Sequence, residues 1–317
     1  MVARFRFALL VVGFLASAIN ISEAQTGITA HAAAVMTDHF ETVVYTDSRF
    51  LTNFRADNKH EESLHGLRLP FLELIAGMMS LGPTSATTLE SRYASFLVGA
   101  KDFVMPEGLG LVGSHKCYIG ISEEGAQPQL GEIFRQATIE PIDEHTVWTW
   151  SMPPYEGHSN PTSFFAAQIG HSYLLVANNR EDFRYIARLL ASTDTAIANS
   201  LRVFDWDNFS AHQYWAYRLL RRDGNSDGEA SALTRLDADV TAISFAADID
   251  KRQAVLRVQS SDSEMKTLPK VLPESELMRF HVHGPGVWEA NIPLTQDHPG
   301  SEAMAGLFYS FGMGIAY

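Results

Sequence analysis

TSFFAAQIGHSYLLVANNREDFRYIARLLAS, from Thr162 to Ser192, contains one complete folding unit of this 317-residue chain. Phe164–Ile169 and Tyr173–Ala177 are apolar runs of strand length, rich in aromatic and branched side chains. The three residues between them, Gly170-His171-Ser172, suit a tight hairpin connection. The stretch therefore predicts two neighbouring antiparallel strands.

A helix is expected directly after the second of these strands. Asn178 or Asn179 suits the N-cap, because an Asn side chain accepts a hydrogen bond from a free backbone N–H of the first helical turn. Glu181 and Asp182 add negative charge at the positive end of the helix. Apolar residues then recur every three or four positions, which predicts one buried stripe. The stripe consists of Phe183, Ile186, Ala187, Leu189 and Leu190.

The same order of signals recurs along the chain. Asp239–Leu272 predicts a strand, a turn, a strand and a short helix, and Leu109–Ala137 predicts a strand followed by a helix. Glu41–Ala56 predicts a strand and a capped helix, and Leu67–Met79 a very apolar helix. We therefore expect an α+β fold whose antiparallel sheet or sheets are built from strand-turn-strand-helix units, with helices packed on one face.

The low periodicity of Thr193–Asp207 indicates a domain boundary. We expect two similar α+β lobes, residues 38–195 and 196–317, and the alternative is one continuous sheet built by both. Residues 25–37 are rich in Ala, Thr and His and are expected to form a flexible leader.

Residues 1–24 have the pattern of a signal peptide, with Arg4 and Arg6 before the apolar run Ala8–Ile19 and a Ser22-Glu23-Ala24 cleavage site. No later segment reaches the ~20 apolar residues of a membrane-spanning helix. We therefore expect a secreted or periplasmic protein with no integral membrane span after cleavage. Cys117 is the sole cysteine, so the fold must be held by an apolar core rather than by disulfides within the chain.

The charge balance argues against a nucleic-acid partner. The chain has 24 Lys and Arg against 37 Asp and Glu, a net charge of −13. A phosphate backbone is bound by concentrated positive charge, which this composition does not offer.

His281-Val282-His283 is the sharpest indication of a metal site. Residues two apart on a strand point the same way, so both imidazoles could reach one transition metal. Glu289, Asp297 and His298 are the candidate further ligands. The alternative is two histidines on the solvent face of a strand.

Residues 223–234, DGNSDGEASALT, partly match a calcium loop. Asp223, Asn225 and Asp227 occupy alternating ligand positions, and Gly228 permits the sharp turn. Position twelve is Thr234, where the motif requires a bidentate carboxylate. The pattern favours a solvated turn, and any Ca²⁺ bound there would be structural.

Trp148 and Trp150 alternate along one strand and should face the same way, with Tyr155 in the following loop. Such a surface could stack a sugar ring or a side chain of a partner, whereas the alternative is packing in the sheet.

The sequence contains no GxSxG, GxGxxG or Walker A motif. We therefore expect no catalytic residues and no cofactor, and an exported, non-catalytic soluble protein that binds another protein or complex, as a periplasmic or cell-surface subunit of a larger assembly. The alternatives are a metal-dependent hydrolase using His281 and His283, and a carbohydrate-binding module using Trp148 and Trp150.

Overall fold

The computed structural model of the protein describes the following parts of the chain: residues 27–47, 65–82, 95–101, 115–122, 130–153, 161–192, 213–219, 240–248, 253–260 and 279–293, with single positions between 85 and 93. Helices in these ranges are residues 27–39 (α1), His65–Ser80 (α2), Leu130–Ile133 (α3) and Arg180–Ala191 (α4).

The strands are Thr42–Asp47 (β1), Ser95–Lys101 (β2), His115–Ile121 (β3), Thr138–Ile142 (β4), His145–Met152 (β5), Thr162–Ile169 (β6), Tyr173–Ala177 (β7), Tyr214–Leu219 (β8), Val240–Asp248 (β9), Gln253–Ser260 (β10), Phe280–Gly284 (β11) and Val287–Pro293 (β12). Within the described ranges they form one sheet of twelve strands, in the order β11-β12-β10-β9-β8-β1-β2-β3-β7-β6-β5-β4. All neighbouring strands are antiparallel. The mixed α+β class with a large antiparallel sheet is as predicted.

The two halves of the chain occupy the two halves of this sheet. Strands β1 to β7 are contiguous on one side and β8 to β12 on the other. They meet where β1 pairs with β8, with Val44 opposite Ala216. Strands from both predicted lobes therefore belong to one continuous sheet, the arrangement given above as the alternative.

The unit at Thr162–Ser192 forms as predicted. Strands β6 and β7 pair with Ala167 opposite Leu175, and Gly170 takes the left-handed conformation (φ 58°) that a tight turn requires. The Asn179 side chain caps α4 by accepting from the backbone N–H groups of Glu181 and Asp182. Local turn and cap chemistry was therefore sufficient to place these elements.

Helices cover both faces of the sheet, which corrects the expectation of helices on one face. Side chains of α2 and α3 join the buried cluster on one face, which we call the α2 face. Those of α1 and α4 join the cluster on the other, which we call the α4 face. The physical reason lies in the central strands: all five residues of β7 are buried, so apolar side chains on both faces require cover.

Residues 27–39 form helix α1, which corrects the expectation of a flexible leader at 25–37. Ala32, Ala33, Val35 and Met36 are fully buried. Alanine is the strongest helix former, and its small side chain allows a helix to lie close to a sheet. The contact continues just past the helix, where the Phe40 ring lies so near Gly99 that an added Cβ would come within 2.3 Å of it.

The segment His212–Leu220, which fits a strand or a helix by sequence, contains strand β8.

Cys117 is fully buried, and this burial raises the pKa of its thiol well above the ordinary value. None of the helices within the described ranges is long and apolar enough to cross a membrane.

Candidate functional site

Among the buried carboxylates on the α4 face, Asp182 and Glu289 are each surrounded by basic side chains. We call the first group the Asp182 cluster, which contains Asp182, His39, Lys101 and His115. The second is the Glu289 cluster, which contains Glu289, Arg257, His281 and His283. Functional sites often contain clustered titratable groups of this kind, so both clusters are candidate sites.

The Asp182 cluster joins four elements. Asp182 lies in the first turn of α4 and is 6% exposed. Its Oδ1 is 2.6 Å from Nε2 of His39, the last residue of α1, and its Oδ2 is 3.0 Å from Nδ1 of His115, the first residue of β3. Lys101, the last residue of β2, places Nζ 3.5 Å from Oδ1. The carboxylate therefore links α1 and α4 to the ends of two strands.

The basic neighbours control the charge of Asp182. Burial favours the neutral acid, but the hydrogen bond with His39 and the charges of Lys101, His39 and His115 outweigh burial and hold the pKa of Asp182 below its ordinary value. Nε2 of His39 is also 2.7 Å from Nζ of Lys101. One ring nitrogen cannot donate to a carboxylate and accept from an ammonium at the same time, so the proton on His39 decides which bond forms.

The arrangement around Asp182 is suited to holding helices in place. His39 also stacks on Tyr185 of α4, with ring centroids 4.4 Å apart. The sequence indicated only that Asp182 lies near a helix start. The three basic residues sit at the ends of distant elements and carry no local signal, so they were not found by sequence reasoning.

The Glu289 cluster lies on three adjacent strands at one edge of the sheet. Glu289 of β12 is opposite Arg257 of β10 and His281 of β11. Arg257 Nε donates to Glu289 Oε2 at 2.7 Å. His283 Nδ1 is 3.3 Å from Oε2, and His281 Nε2 is 3.5 Å from Oε1. Three of the predicted metal-ligand residues, His281, His283 and Glu289, are thus brought together.

Arg257 opposes metal binding by His281, His283 and Glu289. Its guanidinium already occupies one oxygen of the carboxylate that a metal would need, and its charge would repel a cation. Across the described ranges, no group of three or more His, Cys, Asp or Glu side chains is arranged to hold a metal ion. Asp297 and His298 lie outside those ranges. The structure therefore shows a buried ion pair flanked by two histidines, and a metal centre here stays a prediction.

Strand β11 presents exposed side chains on both faces of the sheet edge. The side chains of His281 and His283 are 54% and 42% exposed on the α4 face. Val282, on the α2 face, is 64% exposed. At the opposite edge, β4 has a comparably exposed Ile139, at 62%, followed by Pro141.

The tryptophans have different environments. Trp150 is buried, and its indole N–H donates to the Gly77 carbonyl at 3.0 Å. Its ring stacks on Phe164 at 5.2 Å. An indole held in this way packs in the core and offers no binding surface. Trp148 is half-buried and stacks on Phe134.

The remaining predicted site residues lie outside the described residues. These are Tyr155 and the calcium-loop residues Asp223, Asn225 and Asp227. A sugar-binding role for Tyr155 and a structural Ca²⁺ at 223–234 therefore stay predictions.

Comparisons with known proteins give a distant structural likeness. No protein-family model matches the sequence, and no curated protein matches it. Crystal form III of TP0453, a treponemal protein, is similar at 9% identity and a TM-score of 0.41, over 87% of this chain and 97% of that one. Crystal form I of TP0453 gives 10% identity and a TM-score of 0.40, over 88% and 96% of the two chains.

Proposed function

We propose that this protein is exported and acts by binding another macromolecule, most simply a protein, rather than by catalysing a reaction. The observation that carries the proposal is the exposed row His281-Val282-His283 on β11, which is an edge strand of the sheet formed by the described residues. Edge strands are the usual sites for addition of a strand from another chain, and backbone hydrogen bonds then supply the affinity.

The two edges of the sheet differ in a way that favours β11. Pro141 lies within β4, and proline lacks the backbone N–H that strand pairing needs. No residue of β11 is a proline. The β11 edge is therefore the better template for a partner, although both edges have one exposed apolar side chain.

The environments of Asp182 and Glu289 also support binding over catalysis by these two acids. A general base must take up a proton near neutral pH. The pKa of Asp182 is held low by its basic neighbours, which makes this carboxylate a poor base. Glu289 is engaged by Arg257 at 2.7 Å. Both acids thus fit structural roles.

A pull-down from the native source tests the proposal. The mature chain is immobilised in three forms: unaltered, with Val282→Lys, and with Ile139→Lys as the matched control at the opposite edge. We expect the unaltered chain and the Ile139→Lys variant to retain the same partner, and Val282→Lys to lose at least nine-tenths of it. Retention of that partner by Val282→Lys would remove β11 as the binding edge, and the absence of any specifically retained partner would count against a binding role.

We also infer that residues 38–195 and 196–317 are two similar lobes. Strand order supports this inference. In each half three strands run in sequence, β1-β2-β3 and β8-β9-β10, and the second strand of a later hairpin, β7 or β12, lies beside the third. Native-state hydrogen exchange at rising denaturant concentration would then give two cooperative groups, one for each half. A single group would contradict the division.

A metal-dependent hydrolase is the second candidate, because His281 and His283 each have a ring nitrogen within 3.5 Å of the Glu289 carboxylate. The ion pair with Arg257 opposes it. Elemental analysis of protein purified without chelator decides between a metal-dependent hydrolase and a binding protein without a metal. Stoichiometric zinc, manganese or iron that is lost with His281→Ala would favour the hydrolase, and no bound metal would eliminate it.

A further inference from the structure

We propose that strand β11 pairs with β11 of a second copy of this chain, antiparallel and about a two-fold axis at Val282. The inference rests on the proposed function, since it names a partner for the same edge. Homodimers with such an axis have isologous interfaces, in which the same patch of each subunit contacts its counterpart. An edge strand that joins itself must therefore be compatible with its own reversed sequence.

The three central residues of β11 meet this requirement. His281-Val282-His283 reads the same in both directions around Val282. Antiparallel pairing about this residue places Val282 opposite its own counterpart and His281 opposite the second copy's His283. Residues directly opposite in antiparallel strands point to the same face, so apolar side chains meet on one face and imidazoles on the other.

On the α2 face the pairing would extend an existing apolar row. Val282 lies opposite the buried Trp288 of β12, yet 64% of Val282 is exposed. Joining two edges gives the row Trp288, Val282, and then the same two residues of the second copy in reverse order. This covers the most exposed large apolar side chain in the described part of the chain.

On the α4 face each imidazole would have a carboxylate behind it. Glu289 lies 3.5 Å from His281 and 3.3 Å from His283. A cross-copy pair of histidines would therefore lie between two acidic residues, one from each copy.

The two halves of the sheet are already connected by antiparallel strand pairing similar to that proposed between the two copies. Strands β1 and β8 join the two halves of the sheet by antiparallel pairing over five register positions, Thr42–Thr46 against Tyr214–Arg218. Strand β11 also has five residues. At the other end of the sheet Pro141 interrupts the edge, so pairing through β11 closes at two copies and does not propagate into a filament.

The expected dimer is weak. A five-residue strand is about 17 Å long, and a joint of that length buries less surface than a stable interface of standard size. The dimer should therefore form reversibly and depend on protein concentration.

Sedimentation velocity of the mature full-length chain tests the inference, from about 1 to 300 µM protein. We expect the unaltered chain and Ile139→Lys to shift towards twice the monomer mass as concentration rises. Val282→Lys should dimerise at least tenfold more weakly, because two ammonium groups would face each other at the axis. A monomer throughout, dimerisation of Val282→Lys at the unaltered strength, or equal losses in both lysine variants would each overturn the inference.

Crosslinking tests the position of the axis. Cys117 is fully buried, so a cysteine placed at Val282 would be the accessible thiol among the described residues. A short bis-maleimide should convert Val282→Cys to a covalent dimer while Ile139→Cys stays monomeric, and the reverse result would exclude the β11 joint.

The two proposals can fail separately. A monomeric chain that loses a different macromolecule through Val282→Lys would refute self-pairing and leave the binding function intact. A dimer that forms through β11 while no other macromolecule is retained would uphold self-pairing and restrict the binding function to it.

Discussion

The Asp182 and Glu289 clusters have the same chemical content and different construction. Each combines one buried carboxylate, two histidines and one lysine or arginine. The partners of Asp182 lie on α1, β2 and β3. The partners of Glu289 lie on β10 and β11, the two strands that flank β12. Two ion clusters of similar composition can therefore have different positions in the fold. The Asp182 cluster holds helices to the sheet, and the Glu289 cluster borders an accessible sheet edge.

The two clusters differ in role because helices pack over the Asp182 cluster, whereas the histidines of the Glu289 cluster are exposed. Near Asp182 the α4 face carries the packed helices α1 and α4. Around Glu289 the histidine side chains are about half exposed. Loss of Asp182 should therefore affect stability most, and changes on β11 should affect association most.

The largest stability effect is expected from Asp182→Asn. This change keeps the shape of the side chain and removes the charge that holds His39, Lys101 and His115 together. We expect a loss of about 3 kcal/mol in the free energy of unfolding, the low end for one partner of a buried ion pair, because Lys101 and His115 are partly solvated. Urea denaturation measures it. Glu181→Gln, in the same helical turn but exposed, should change stability by less than about 0.5 kcal/mol, and an equal effect of both changes would contradict the account.

The contribution of Asp182 should depend on pH in a defined direction. Its pKa is lower in the folded protein than the ordinary value of about 3.9 for the unfolded chain. The stabilisation is therefore present above that value and is lost as pH falls through the folded pKa. The gap in urea midpoint between the unaltered chain and Asp182→Asn should shrink below about pH 4. A gap that widens there would show that the charge of Asp182 does not stabilise the fold.

A smaller effect is expected at the second cluster. Arg257→Met removes the guanidinium and keeps much of the aliphatic stem, which leaves the Glu289 carboxylate with the two histidines. We expect a loss of about 2 kcal/mol, in the range for a hydrogen bond to a charged group. Arg184→Met, at the exposed pair with Asp143, is the control and should leave the urea midpoint nearly unchanged. A loss at Arg257 larger than that at Asp182 would reverse the comparison between the clusters.

The sequence predicts elements well where their signals are local. The hairpin of β6 and β7 and the capped helix α4 follow from turn, cap and stripe within Thr162–Ser192. The pairing of β1 with β8 does not follow from local signals, because the two strands are far apart in the chain. The apolar pattern of each strand would also fit several other neighbouring strands. Helix α1 was missed because alanine contributes little to an apolar stripe although it packs closely.

The same distinction applies to the sites. His281, His283 and Glu289 could be grouped from sequence because a strand period of two and one tight hairpin bring them together. Arg257 could not be added, since it lies on a strand that is next to β12 through long-range pairing. Arg257 adds an ion pair to the predicted metal-ligand residues, so the composition of a site depends on sheet order as well as on its motif.

Hydrogen exchange of the protein tests the proposed self-pairing of β11 most directly. Backbone amides of Phe280–Gly284 are compared in dilute and in concentrated protein, with Thr138–Ile142 of β4 as the internal reference. The account predicts that protection of β11 rises at least tenfold with concentration while that of β4 does not change. Equal protection of β11 at both concentrations would contradict self-pairing.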